Sequence, residues 1–260
     1  MGFKDGDFIL IEYTVRVKET GNIVDTTNEE IAKKENIYES DKVYGPVLIV
    51  IGKGWINKVV EESLKEAEVG EEKEIEVPPE KAFGKRDPSK VKVFSLREFR
   101  RRNIDVKVGD VLDFGGVKGI VKSISGGRVT VDFNHPLAGK TLIYKVKVVS
   151  KLEELVDKVR ALAVRHLQIP GEEIKIEYSP EEKKLIISIP TKYMVKKDIQ
   201  YGKISLVTDI YEFFKDQVDK VVFQEEFTLK KPEKKEETKT AEKEEKEASS
   251  QEEAGEEQTG

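Results

Sequence analysis

The amino-acid sequence predicts an α+β protein, and three observations carry that expectation. Residues 7–17 (DFILIEYTVRV) and 142–149 (LIYKVKVV) alternate with the period of antiparallel strands that bury one side. Residues 55–67 and 152–167 space their apolar residues as amphipathic helices do. From residue 150 the order helix, strand, strand, helix, strand reads as an α+β unit of its own.

Composition narrows the chemistry. The chain has 260 residues, room for one large or two to three small domains. Charged residues make up 37%, and no apolar run approaches the ~18–20 residues of a membrane span. With no cysteine there are no disulfides, zinc-thiolate sites or cysteine nucleophiles. The start, MGFKDGDFILIEY, is strand-like and not a charged-then-apolar leader, so a cytoplasmic protein is expected. Abundant Lys and Glu with only 2 Met fit heat adaptation. A net charge of −5 argues against a dedicated nucleic-acid binder.

Along the first strand, Ile9, Ile11, Tyr13, Val15 and Val17 share a face, so Tyr13 is expected to point into the core. Glu19 to Asn22 turn the chain into a returning segment at 23–27. Residues 28–46 are polar and irregular, with a short helix at 29–35; so long a loop in a compact domain argues for a functional role. VLIVI at 47–51 reads as a buried strand, broken by Gly52-Lys53-Gly54. A helix is predicted over 55–67 from Ile56, Val59, Val60 and Leu64, closed by Gly70. KEIEV at 73–77 is a strand that Pro78-Pro79 stops.

The texture changes at 85. Ser95 and Glu98 form a capping box that opens a short helix, followed by strands at 111–114, 117–124 and 128–133 with glycine-pair turns. This module of about 50 residues lies between two strands of the first domain, as an inserted all-β domain would. Asn134, His135, Pro136 and Gly139 make a tight loop before the last strand, where Leu142, Tyr144, Val146 and Val148 share a face. Ser150 and Glu153 read as a second capping box, opening a helix that Pro170-Gly171 ends. Strands are predicted at 173–178, 184–189 and 221–229, and a helix at 199–217. Residues 230–260 carry almost no apolar side chains and are expected to be disordered.

Conventional catalysis is poorly supplied. His135 reads as a turn-stabilising side chain and His166 as a partly exposed helix histidine. Gly52-x-Gly54 lacks the following Gly and Lys of the phosphate motifs. Arg97, Arg100, Arg101 and Arg102 read as a solvated helix face, since few aromatic side chains stand near them to stack on bases.

The wording of certain segments says more than their periodicity. In order, these are the strand with Tyr13, VDTT at 24–27, the apolar strand followed by GKG and a helix, PPEKAFG at 78–84, and NHPLAGKTL at 134–142 leading to Tyr144. This series resembles FKBP-type peptidyl-prolyl cis/trans isomerases of the SlyD-like subgroup. The likeness covers residues 1–84 and 134–149 and is interrupted where that subgroup carries its insert-in-flap domain. Residues after 150 resemble the extension of long archaeal members.

The resemblance implies an FKBP-like antiparallel sheet wrapped on a short helix at 1–84 and 134–149. It further implies an inserted chaperone-like domain at 85–133, a C-terminal α+β domain at 150–229, and a charged tail at 230–260. The expected activity is isomerisation of X-Pro bonds in support of protein folding; the alternative is a holdase with little or no turnover. Tyr13, Asp25, Phe83 and Tyr144 would be the catalytic residues. Val24, Val47, Ile56, Asn57, Val60 and Leu137 would bind substrate, the Asn57 N–H holding a substrate carbonyl. Val91, Val93, Phe94, Leu96 and Ile104 would form the chaperone surface. No metal or cofactor is implied. Partners would be unfolded or partly folded proteins and proline-containing peptides, not membranes or nucleic acid, with the C-terminal domain available for homodimerisation. The sequence departs from the family's usual wording at Asn57, Val59, Val60 and Phe83, and Trp55 stands a turn before the family's pocket-floor position.

Overall fold

A computed structural model describes residues 2–227. The chain forms β1 (Phe8–Val17), β2 (Ile23–Thr26), α1 (Glu29–Lys34), β3 (Val47–Val50), α2 (Lys58–Lys65) and β4 (Glu72–Val77). Next come β5 (Val91–Ser95), α3 (Leu96–Arg101), β6 (Val111–Asp113), β7 (Lys118–Ser125), β8 (Arg128–Asp132) and β9 (Leu142–Leu152). The last elements are α4 (Leu155–Leu167), β10 (Lys175–Ser179), β11 (Lys184–Pro190), α5 (Ile199–Phe214) and β12 (Lys220–Glu226).

The first sheet runs β2-β1-β9-β4, and β3 also pairs with β1. β3 lies against Phe8–Ile11 while β2 lies against Thr14–Arg16, so both share one edge of β1. The two faces of this sheet are both covered. Ile9, Ile11 and Val15 pack with Val60, Leu64 and Ala67 on one side. Phe8, Leu48 and Val50 pack with Leu162, Ile210 and Phe214 of α4 and α5 on the other. That second layer also carries the sheet β10-β11-β12. Helices α4 and α5 approach closely at Gly202, where a Cβ would stand 2.6 Å from the His166 carbonyl oxygen.

The chain leaves the first sheet at Val77 and rejoins it at Leu142, and these two residues are paired in register. Between them β5-β8-β7-β6 form a sheet of their own, with a core of Phe99, Val106, Val121, Val129 and Val131. Arg86 and Asp132 close the neck of this excursion at 2.7 Å. The mixed α+β architecture with antiparallel sheets is the one expected.

Several boundaries differ from the sequence reading. The helix predicted over 55–67 begins only at Lys58, because the Asn57 side chain accepts from the Val59 N–H at 3.0 Å and caps it. Trp55 and Ile56 therefore lie in the approach to the helix. The capping box at Ser150 and Glu153 does not form: Ser150 pairs with Leu10 inside β9, and Glu154 occupies the N-cap position. β5 was not expected from the sequence. Ser95 does cap α3, accepting from the Arg97 N–H. The helix α5 ends at Phe214, and β12 begins at Lys220. The tail expected to be disordered lies outside the described residues.

Candidate functional site

One row of the first sheet explains the site. Asp25 of β2 pairs with Val15, Val15 with Tyr144 of β9, and Tyr144 with Ile75 of β4. Directly paired residues point to the same face, and Val15 is buried on the α2 side. Asp25 and Tyr144 are thereby aimed at the side that α2 covers. Tyr13, two residues before Val15 on the same strand, joins them by the period of the pleat.

Tyr13 donates its hydroxyl to Asp25 Oδ2 at 2.7 Å. Lys42, from the loop before β3, donates to Asp25 Oδ1 at 2.9 Å. Both carboxylate oxygens are engaged, so two donors hold the Asp25 side chain in place. Burial first, then the Asp25 charge, pushes the Tyr13 phenol far above its ordinary range, which keeps it a hydrogen-bond donor. The backbone of Tyr13 is held as well: its N–H donates to Thr27 Oγ1 at 3.0 Å, and its carbonyl accepts from the Thr27 N–H at 3.0 Å. The rings of Tyr13 and Tyr144 stand 6.5 Å apart. Burial and the nearby Asp25 also raise the Tyr144 phenol. Among the described residues its hydroxyl has no hydrogen-bond partner.

Val24, Val47, Ile56, Val60, Leu137, Tyr13 and Tyr144 converge on one apolar cluster, with Val60 fully buried as its floor. Asn57 stands at the edge, its amide donating to the Lys81 carbonyl at 2.6 Å. Phe83 is apart from that cluster. It is 46% exposed and stacks on His135 at 4.2 Å, as a rim residue would. His135 accepts from the Leu137 N–H at 3.2 Å, the turn-stabilising role expected of it. The loops at 84 and 139 are joined by the Gly139 N–H donating to the Gly84 carbonyl. Of the expected chaperone-surface residues, Val93 (59%) and Ile104 (39%) are exposed. Phe94 and Leu96 instead pack against the module's core, and Val91 is half-buried in its pairing with Asp132.

Sequence reasoning missed two supports of this site, Lys42 and Glu61, and placed the third, Trp55, a turn before the pocket floor. Lys42 sits in a polar loop whose other charges look the same. Glu61 is buried and accepts from the N–H groups of Gly52 and Gly54 at 3.0 and 3.1 Å, holding the loop that presents Trp55 and Ile56. Trp55 itself bridges the two apolar layers.

The chain is similar to known proteins along most of its length. The chain is 34% identical over 145 residues to the short-type peptidyl-prolyl cis-trans isomerase of Methanocaldococcus jannaschii, covering 91% of that protein and 56% of this chain. It is 33% identical over 159 residues to the FKBP-type peptidyl-prolyl cis-trans isomerase SlyD of Treponema pallidum, covering 81% of that protein and 60% of this chain. This chain belongs to the FKBP-type peptidyl-prolyl cis-trans isomerases. Within this family the likeness also extends to the FKBP-type 16 kDa isomerase of Escherichia coli, at 32% identity over 72% of that protein and 40% of this chain. Two family models match further along. The FKBP26 IF domain matches residues 92–137, and the FKBP26 C-terminal model matches residues 155–228. Among the described residues no helix is long and apolar enough to cross a membrane.

Proposed function

We propose that this FKBP-type isomerase binds prolyl bonds over the Tyr13–Asp25–Tyr144 row and releases them without covalent or acid–base chemistry. The observation that carries this reading is the Tyr13–Asp25 hydrogen bond, 2.7 Å long, set against an apolar wall. An X-Pro bond isomerises over a barrier of about 18–20 kcal/mol. A pocket that grips the proline ring and favours the twisted amide over both planar forms lowers that barrier. A thousandfold acceleration asks for only about 4 kcal/mol. Val47, Ile56, Val60 and Tyr144 would grip the ring, Phe83 would close the rim, and the Asn57 N–H would hold a substrate carbonyl. Asp25, fixed by Tyr13 and Lys42, would orient Tyr13 and polarise the imide. Asp25→Ala should lower turnover of a prolyl peptide several-fold while circular dichroism stays unchanged; unchanged turnover would remove Asp25 from the mechanism.

On this reading residues 1–84 and 134–149 form the isomerase domain, 85–133 an inserted domain and 150–229 a C-terminal domain. The inserted domain would hold unfolded chains as a chaperone. Its support is the exposure of Val93, and of Ile104 at a cavity that Phe94, Phe99, Leu112 and Phe114 also line. The substrates would be partly folded proteins as well as peptides. The C-terminal domain would pair with a second copy through α5, where Tyr201, Ile204 and Tyr211 are exposed at helical spacing. Light scattering should give twice the chain mass, and Ile204→Glu should return the monomer; a monomeric parent protein would end that assignment.

A further inference from the structure

A second cavity, of about 360 Å³, lies between α4 and the β3 edge of the first sheet. Leu10, Pro46, Val47, Leu48 and Val164 give it apolar walls, and Arg165 is the lining cation that no acidic side chain among the described residues holds. The other polar groups at its border are already committed. Arg160 is paired with Asp157 at 2.7 Å, and Gln168 Oε1 accepts from the Val43 N–H at 3.0 Å. Arg165 differs. Its guanidinium centre lies 4.1 Å over the Trp55 ring, and among the described residues the side chain makes no hydrogen bond or ion pair. The nearby Asp209 carboxylate is engaged by His166 at 2.6 Å. A cation–π contact uses the flat face of a guanidinium and leaves its N–H edge free. Burial also disfavours the charge on Arg165, which a bound carboxylate would offset.

This cavity adjoins the prolyl site. Val47 lines it and also packs against the cluster around Tyr13. Trp55, under the guanidinium, directly precedes Ile56 and packs in the same cluster. Val43, on its border, follows Lys42, which holds Asp25. A volume of this size suits one or two side chains.

We propose that the cavity is a specificity subsite of the isomerase for substrate residues flanking the proline, taking an apolar side chain within its walls and a carboxylate on Arg165. The proposal rests on the prolyl-site reading given above. Binding by one charge-assisted contact at a half-buried site predicts a preference of roughly fivefold or more for an acidic over a basic neighbour.

The test uses the full chain and peptides that share one Leu and one X-Pro bond, with Glu, Gln or Lys placed in turn at the flanking positions. Exchange is read by NMR. At one flanking position the Glu peptide should show the lower KM, with kcat little changed, and added salt should shrink the difference. Arg165→Gln should erase the Glu-over-Lys ratio, and Arg165→Glu should reverse it, a gain that lost packing could not produce. Equal turnover of all peptides by the parent protein, or a ratio unmoved in Arg165→Glu, overturns the subsite and leaves the isomerase reading standing. Absence of turnover on every peptide strikes the prolyl-site reading instead. Titration followed by Trp55, the single tryptophan of the chain, then decides the subsite separately: tighter binding of the Glu peptide supports it, and equal binding discards it.

Discussion

The first sheet and the sheet of residues 91–132 use the same alternating strands but complete them differently. The first sheet is covered on both faces, by α2 on one side and by α4 and α5 on the other. The second has a core of five buried residues, Phe99, Val106, Val121, Val129 and Val131. Phe94, Phe114 and Phe133 lean on that core only in part, and their rings contact one another at 5.1–6.2 Å. Doubly covered sheets hold side chains in fixed places, as a pocket that must fit a twisted amide requires. A thin module with half-open aromatic side chains suits a surface that accepts many sequences. Under the proposed division of labour, fit would belong to the first sheet and adaptable capture to the second.

The most severe way to break this comparison is to remove the module. Val77 and Leu142 are paired outside the replaced stretch, and the Arg86–Asp132 contact shows how near its two ends lie. Replacing residues 86–131 by a short turn should spare turnover of a tetrapeptide within a few-fold. Catalysis of proline-limited refolding should fall by about tenfold or more, because the tethered surface that raises the local concentration of chain is gone. Suppression of aggregation should disappear. Equal loss on both substrates would show that the module supports the pocket, and no loss on either would leave it without a client role.

A smaller change sharpens the other side of the comparison. Tyr144 carries a half-buried hydroxyl without a partner among the described residues, next to Asp25, while Phe83 brings no hydroxyl to the rim. Tyr144→Phe should cost about 1 kcal/mol of transition-state binding, roughly fivefold in kcat/KM. Peptide and protein substrates should suffer alike, since the loss lies in the pocket. A defect confined to protein substrates would place Tyr144 outside the site.

These contrasts were unevenly legible in the sequence. The alternation in DFILIEYTVRV and LIYKVKVV placed the face that carries Tyr13 and Tyr144, because a period of 2 is a local property. Tyr13 and Asp25 were named together from the family resemblance, and the two are hydrogen-bonded at 2.7 Å. β5 escaped notice because Pro88, Lys90 and Lys92 break the apolar pattern, and only pairing with β8 makes VKVFS a strand. Ser150 and Glu153 carry a capping signature that β9 overrides, since pairing with β1 keeps that stretch extended. Lys42, Glu61 and Arg165 were invisible for one reason: each owes its role to a neighbour distant in the fold or to backbone geometry, and isolated charges in a charged chain have no period. Phe94 and Leu96 were taken for surface because a short strand and helix do not show from sequence which side a thin core occupies.

The smallest expected effect lies at the neck between the two sheets. Asp132 is buried there, accepting from the Asn134 N–H at 2.9 Å, from its amide at 2.7 Å and from Arg86 at 2.7 Å. Burial alone would raise its pKa, but the Asn134 hydrogen bonds and the Arg86 charge outweigh burial and hold it below the ordinary value. A carboxylate depressed in the folded state contributes stability that is present above its unfolded value, near pH 4, and is lost as pH falls through the folded one. Asp132→Asn removes the charge-assisted contact with Arg86, which is itself half exposed, so the expected cost is under about 1 kcal/mol at pH 7. That cost should fall on the module. Amide exchange should quicken in β7 and β8 and stay unchanged in β1 and β9. Urea unfolding from pH 7 downward should show the parent protein losing its advantage below about pH 4, until the two proteins meet. A gap of the same size at every pH would mean that the side chain acts by shape and not by charge. A substitution that quickened exchange nowhere in the module, yet loosened β1 and β9, would mean that the neck belongs to the first sheet, and the two sheets would then be one mechanical unit.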